Sequence, residues 1–348
     1  MRLLPLSEIR DEDRLATSIW GADRRLILSK GSPLTAAYRA LLTERGYWAL
    51  PVEFPGYEGV EAVPWLSDNL VLDLVAYLLN LPERFDAKAW FAAQSLVTQI
   101  LEEYWAHPRG AVELFLPRDA ASNPAVLAIN RALVVIAAGH GLFDEARLPE
   151  IVLAALLLDS GPGNALATGV IHDSDDPAFI QEAVGATVAY LQQTSAVSFR
   201  TLGAIRQAYA HWDGSGTPPL RGPAIYEGAQ LLAPANKLAR LLMPTPEHPP
   251  VAPHEALEWV IGGADLDYAL RWVATIKERV APYATGTTVR LSSGELAVVT
   301  RAPLGTPTRP HVRLLTGPER GTERDLQDPA LRNVVIVDVY WQRELESA

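Results

Sequence analysis

The 348 residues carry 30 Lys and Arg against 41 Asp and Glu, a net charge of −11, and no cysteine. Proteins that bind nucleic acid or lie on an anionic membrane usually present a basic face, so neither partner is expected. Disulfides and thiolate metal sites are excluded outright. No apolar run reaches the ~18 residues of a spanning helix. The opening MRLLPLSEIRDEDR lacks the apolar core of a signal peptide, so a cytoplasmic location is the expectation.

Residues 1–55 read as a small α+β module. LATSIW and RLILS are short β-type runs joined at Gly21-Ala22-Asp23, a hairpin signal. Ser32-Pro33-Leu34-Thr35 opens a helix that Gly46 closes, and ALPVEF is a returning strand. Residues 56–122 hold a Gly/Pro-rich connector and helices leading into the core. Asn69–Asn80 has helical length, and Ala87–Ala106 places Phe91, Leu96, Ile100, Leu101 and Trp105 at helical spacing.

Residues 123–282 predict an all-α domain. Ala125–Gly139 is nearly all apolar and reads as its central helix. LPEIVLAALLLDSG follows, with Gly161 past its end. Further helices are expected at 177–194, 198–210, 226–243, 254–262 and 266–281. Pro234 is expected to interrupt the third helix of this last group, since an interior proline costs ~3 kcal/mol. A Pro-rich loop fills 244–253. From 283 to 348 the texture changes to β-rich runs between Gly and Pro turns, a small barrel or sandwich. The fold class is therefore mainly α, an all-α helical domain flanked by the two smaller modules.

The stretch with the most chemical content is Ala208 to Gly222, AYAHWDGSGTPPLRG. A helix runs into a loop whose glycines supply positive-φ corners and which presents backbone amides. The stretch resembles the signature of HD-GYP proteins, a branch of the HD metal-dependent phosphohydrolases. There, two histidines end a helix and a Glu-x-Trp-Asp-Gly-Ser-Gly-Tyr-Pro loop follows. Trp212, Asp213, Gly214, Ser215, Gly216 and Pro218 match, whereas Thr217 replaces the tyrosine and Ala210 the glutamate. Lys30-Gly31 followed by Leu34-Thr35 is similar to an element of the module often found ahead of these domains.

The resemblance implies a site of clustered His and Asp holding iron or manganese, whose charge activates a bound water and neutralises phosphate. The ligand positions fall on Ala125, Leu158, Asp159, Gln181, Ala208, Tyr209 and Asn236. Asp159 alone keeps its ligand chemistry, and one carboxylate cannot hold a pair of ions. Pro162 stands where the family has lysine, while Gly161 and Gly185 are kept. HEALEW, at 254–259, is similar to a further family run.

The remaining candidates have plainer readings. His172-Asp173 is a literal HD dipeptide, but Ser174, Asp175 or Asp176 reads as the cap of the next helix. A replacement site assembled from His172, Asp173, His211 and Asp159 is conceivable. His211 reads better as solvent-facing, and histidines 107, 140, 248, 254 and 311 lack partners at ligand spacing. No G-x-S-x-G or Walker pattern occurs. Trp259 and Trp272 read as core anchors. Arg200, Arg206, Arg221 and Lys237 are candidates for a positive rim near the loop.

The resemblance thus implies a catalytically inactive relative of cyclic di-GMP phosphodiesterases that uses no cofactor. Such a protein would act in signalling as a protein-interaction scaffold or a cyclic di-GMP receptor. Its contacts would run through Trp212, Asp213, Gly214, Ser215, Gly216, Thr217, Pro218 and Arg221. A diguanylate cyclase domain is the partner the resemblance suggests, and a homodimer is open. The alternative is an active metal-dependent phosphodiesterase with a relocated iron or manganese site.

Overall fold

The computed structural model describes every residue except Ala22, 108–109 and 345–348. The expected hairpin corner at Ala22 and the last four residues of the C-terminal module lie outside the described residues. The chain divides into two compact units, Met1–Pro64 with Pro108–Ala120 and Glu278–Ala348, and Trp65–His107 with Ala121–Lys277.

In the first unit, β1 (Arg2–Pro5), β2 (Arg14–Leu15) and β5 (Ala49–Glu53) form an antiparallel sheet in the order β1-β5-β2, with Leu4 opposite Leu50. β3 (Ile19–Trp20) and β4 (Leu26–Leu28) pair as a hairpin. Helix α1 (Ala36–Glu44) starts at Thr35, whose hydroxyl accepts from Tyr38 N. It stops at Gly46, where φ is +88°, a conformation glycine adopts without steric cost. Leu4, Leu15, Leu34, Leu42 and Val52 are fully buried at the centre of this part.

The C-terminal part of the same unit is a five-stranded antiparallel sheet in the order β10-β6-β7-β8-β9. Its strands are β6 (Thr288–Leu291), β7 (Leu296–Arg301), β8 (His311–Leu314), β9 (Glu323–Asp325) and β10 (Ile336–Val339). The run LAVV in β7 is continuously apolar because both faces are covered. Ala297 and Val299 join one core with Val312 and Leu326, while Leu296 and Val298 pack with Tyr57, Val60 and Tyr340. Alternate residues of a strand point to opposite faces, so a strand buried on both loses its alternation.

The second unit is helical. α2 (Asp68–Leu79) is capped by Ser67 and α3 (Ala87–Ala106) by Asp86. All 17 residues of α4 (Asn123–Gly139) are buried, which explains why its sequence is apolar on every side. The helices that follow are α5 (Arg147–Leu157), α6 (Ala165–Thr168), α7 (Pro177–Leu191), α8 (Phe199–Arg206), α9 (Glu227–Leu241), α10 (Pro253–Gly262) and α11 (Leu270–Arg279), of which α5, α6 and α9 pack on α4. Among the described residues no helix is long and apolar enough to cross a membrane.

Several expectations need correction. Pro234 lies inside α9, which runs through it without a break. The helix expected at 198–210 stops at Arg206 because Tyr209 is drawn into an antiparallel bridge with Thr217. Phe91 and Trp105 are exposed, not buried on the stripe of α3 formed by Trp90, Ala93, Val97 and Ile100. Trp272 is a core anchor, stacked on Phe143 at 5.1 Å, but Trp259 is 68% exposed. On α10 the buried positions are Ala256, Leu257 and Val260, and residue 259 lies off that face.

Candidate functional site: a carboxylate held by two arginines beneath a glycine-rich loop

Asp159 follows the end of α5 and is buried. One carboxylate oxygen accepts from Arg131 Nη1 at 2.7 Å and the other from Arg240 Nη2 at 2.5 Å. Both guanidiniums are themselves buried, Arg131 on α4 and Arg240 on the last turn of α9. Arg131 also donates through Nε to Ala155 O and through Nη1 to Asn236 Oδ1. Arg240 donates to Asn236 Oδ1 at 3.2 Å, to Tyr209 Oη at 2.8 Å and to the carbonyl of His172. Asn236 and Arg240 stand four residues apart on α9, which brings them to one side of the helix.

The electrostatics follow from this packing. Burial alone would raise the Asp159 carboxyl, but the facing Arg240 and Arg131 guanidiniums outweigh it and hold the group below its ordinary range. The carboxylate therefore stays ionised. For Arg131 burial outweighs the attraction of Asp159, and its pKa falls from its ordinary value. For Arg240 the attractions of Asp159, Tyr209 and Asp173 win over burial, and its pKa rises. Arg131 Nη2 is buried with no hydrogen-bond partner among the described residues.

The other positions at which the resemblance places ligands offer little to an ion. Ala125, Leu158 and Ala208 are buried and apolar, and Asn236 spends its oxygen on the two arginines. Gln181 is exposed on α7. Among the described residues no group of three His, Asp or Glu could hold a metal ion. The residues present do not fit the iron or manganese pair that the resemblance implies, because two fixed positive charges already take both oxygens of its one retained carboxylate.

His172 and Asp173 do not join Asp159 in a ligand set. His172 Nδ1 hydrogen-bonds Glu247 Oε1 at 2.9 Å, and Asp173 Oδ2 accepts from Lys237 Nζ at 2.7 Å and His248 Nε2 at 3.2 Å. Burial opposes ionisation of Glu247, but its hydrogen bonds to His172 and Asp173 N prevail and pull the carboxyl down to about 2. Asp176 is the residue that caps α7, accepting from Ala178 N. His248, which has no partner at ligand spacing along the chain, belongs through folding to this polar cluster. His211 is elsewhere and half-buried, with Nδ1 at 3.0 Å from Ser215 Oγ and 3.4 Å from Asp267 Oδ1.

The glycine-rich loop is tightly built. Trp212 N and Asp213 N donate to Asp267 O and Leu266 O, Thr217 N donates to Tyr209 O, and Gly222 N donates to Trp212 O. Asp213 Oδ1 accepts from Ser215 N at 2.8 Å, a bond that holds its carboxyl below the ordinary range. Gly214 has φ +90° and lies against the side chain of Arg221. A Cβ on Gly216 would stand 2.3 Å from His211 N and 2.4 Å from Tyr209 O. Glycine is required there by close approach of backbone. The Thr217-Pro218 bond is cis.

Thr217, Pro218, Gln181 and Arg206 line a mostly apolar cleft of about 330 Å³ together with Ile180 and Val184 of α7. Of the four cations expected at a rim, Arg206 alone lines this cleft. Arg221 packs on Gly214, Lys237 pairs with Asp173, and Arg200 lies over the Phe199 ring. Sequence reading missed Arg131 and Arg240. The signal for Arg131 was present, a lone charge in the otherwise apolar AVLAINRALVVIAAG, since a buried charge requires a partner.

No known protein-family profile matches the chain, and no curated protein does. Among solved structures it is similar to an HDG"Y"P protein from Bdellovibrio bacteriovorus. The identity is 14%, the match covers 79% of this chain and 97% of that one, and the TM-score is 0.44.

Proposed function

We propose that this protein is a non-hydrolytic relative of the HD-GYP phosphodiesterases that acts as a protein-interaction module in signalling. The family assignment rests on the sequence resemblance. The observation that carries the non-hydrolytic part is the double arginine clasp on Asp159, at 2.7 and 2.5 Å. A divalent ion placed there would face two guanidiniums at close range, and among the described residues no cluster of His, Asp or Glu completes a ligand set. Metal-activated hydroxide, the nucleophile such chemistry requires, has nothing to hold it.

The interaction surface in this reading is the loop Trp212 to Pro218 with Arg221. Its backbone is fixed by hydrogen bonds at both ends, so little ordering is needed on docking. Leu266, whose carbonyl holds Asp213 N, and Leu270 are both largely exposed, as is Trp259 on α10. Exposed apolar side chains mark a contact site where they form one continuous patch, and this reading takes these three as such a patch. A diguanylate cyclase domain is the partner this reading favours.

Arg206 at the cleft supports a second reading, a receptor for cyclic di-GMP, because a guanidinium suits a phosphodiester. The cleft is small and largely apolar, which places this reading second.

Metal analysis of the purified protein, calorimetric titration with cyclic di-GMP and titration with a purified diguanylate cyclase domain separate the cases. Binding of the domain by metal-free protein, lost on Asp213→Ala, supports the module. Cyclic di-GMP binding without metal supports the receptor. Stoichiometric iron or manganese, lost on Asp159→Ala, supports a working phosphodiesterase and overturns the proposal.

A further inference from the structure

Ser160, next in the chain after Asp159, has a buried hydroxyl with no hydrogen-bond partner among the described residues. Buried hydroxyls nearly always find a partner, because an unmade bond forfeits the hydration of the group without return. The backbone around Ser160 cannot shift to supply one. Ser160 N donates to Leu157 O, Gly161 N to Thr187 Oγ1, and Thr187 Oγ1 to Leu158 O. A Cβ on Gly161 would stand 2.4 Å from Thr187 N, so the chain here lies directly on α7. Asn164 Nδ2 closes the arrangement by donating to Thr187 Oγ1 and Ala183 O.

Ser160 lines a cleft of about 440 Å³, within the range of roughly 300–1,000 Å³ usual for small-molecule sites. Leu81, Pro162 and Leu166 give it apolar walls. Tyr190 adds ring surface, and its hydroxyl is already committed to Pro82 O. Of the lining side chains only that of Glu83, exposed, carries a charge. Neighbouring Arg84 is not among them. Apolar walls, one carboxylate and one unsatisfied hydroxyl make a set suited to a cation with a greasy body, and unsuited to a phosphodiester.

We propose that this cleft binds a small amine with an apolar body, its ammonium at Glu83 and a ring N–H or hydroxyl donating to Ser160 Oγ once that side chain rotates from its enclosed position toward the cleft. The site is separate from the glycine-rich loop, so its fate does not depend on the interaction reading above.

The test is calorimetric titration of the full chain with tryptamine and with indole-3-acetate, which share a ring and carry opposite charges. Tryptamine is expected to bind at least about tenfold more tightly than indole-3-acetate, the factor one charge-assisted contact supplies. Glu83→Gln is expected to weaken tryptamine binding about fivefold and Ser160→Ala about threefold. Ser160→Ala is also expected to raise Tm, since it removes an unsatisfied buried group. Leu166→Trp, which fills the cleft, is expected to block binding in a chain whose helical circular dichroism is unchanged. Failure of tryptamine to bind at about 5 mM, equal affinity for the two probes, or wild-type affinity in Glu83→Gln or Ser160→Ala would each overturn the proposal.

Discussion

Arg131 Nη1 and Asn236 Oδ1 meet at 2.7 Å although 105 residues separate them along the chain. Arg131 comes from α4 and Asn236 from α9, and the same Arg131 nitrogen reaches Asp159 beyond α5. Three helices are thus tied at one buried point. Removing one partner of a buried ion pair leaves an uncompensated charge, so Asp159→Ala is expected to destabilise the protein by about 3–5 kcal/mol. Tyr209→Phe, which deletes a hydrogen bond to charged Arg240, is expected to cost about 1.5–3 kcal/mol. Urea unfolding of the two variants checks both figures.

The same carboxylate sets an acid limit. Its folded pKa lies below its unfolded value of about 3.9, so its contribution is fully present above that value. It is lost as pH falls through the lower folded pKa. Stability measured by urea unfolding from pH 7 down is therefore expected to drop below about pH 4. In Asp159→Asn that part of the slope is absent. An identical slope in the variant would assign the acid limit to other carboxylates.

Gly214 and Gly216 test the loop frame in different ways. Gly214→Ala places a side chain at φ +90° and is expected to cost about 1–2 kcal/mol while the loop keeps its bonds. Gly216→Ala drives a Cβ into two backbone atoms, which cannot rotate away, and is expected to cost about 3 kcal/mol or more. Amide exchange of Thr217, whose N–H is bonded to Tyr209 O, reports the difference.

Trp259→Ser removes a side chain that is 68% exposed. Its effect on unfolding free energy is expected to stay within about 0.5 kcal/mol. In the interaction reading proposed above, which includes Trp259 in the docking face, affinity for a protein partner is expected to fall at least about tenfold, as for aromatic contact residues generally.

The helices were legible because their apolar periodicity is strong. α3 falls at Ala87–Ala106 as read, and the nearly all-apolar α4 is the buried centre. Errors arose where tertiary partners outweighed local pattern. Tyr209 leaves the helix because Thr217 offers it a bridge, and Pro234 is tolerated in a helix held on its flanks by packing. Trp259 was placed inside on residue type, although its register against Ala256, Leu257 and Val260 puts it outside.

The site divides in the same way. The absence of imidazoles at the positions the resemblance points to could be read position by position, since each is local. The arrival of Arg131 and Arg240 could not, because what makes them a site is convergence from α4 and α9 on one oxygen pair. Arg131 stands out within its helix. Arg240, in LARLL, carries no such mark.

The clasp on Asp159 also acts as a ratchet. Placing a histidine at position 158 would set an imidazole next in the chain to a carboxylate already held by two side chains that keep their protons, and a divalent ion would still be repelled. Removing either arginine first strips the carboxylate of a counter-ion it needs in order to remain buried. Loosening this clasp to admit an ion thus weakens the fold at the same stroke, so any path to a metal centre at Asp159 runs through a less stable protein.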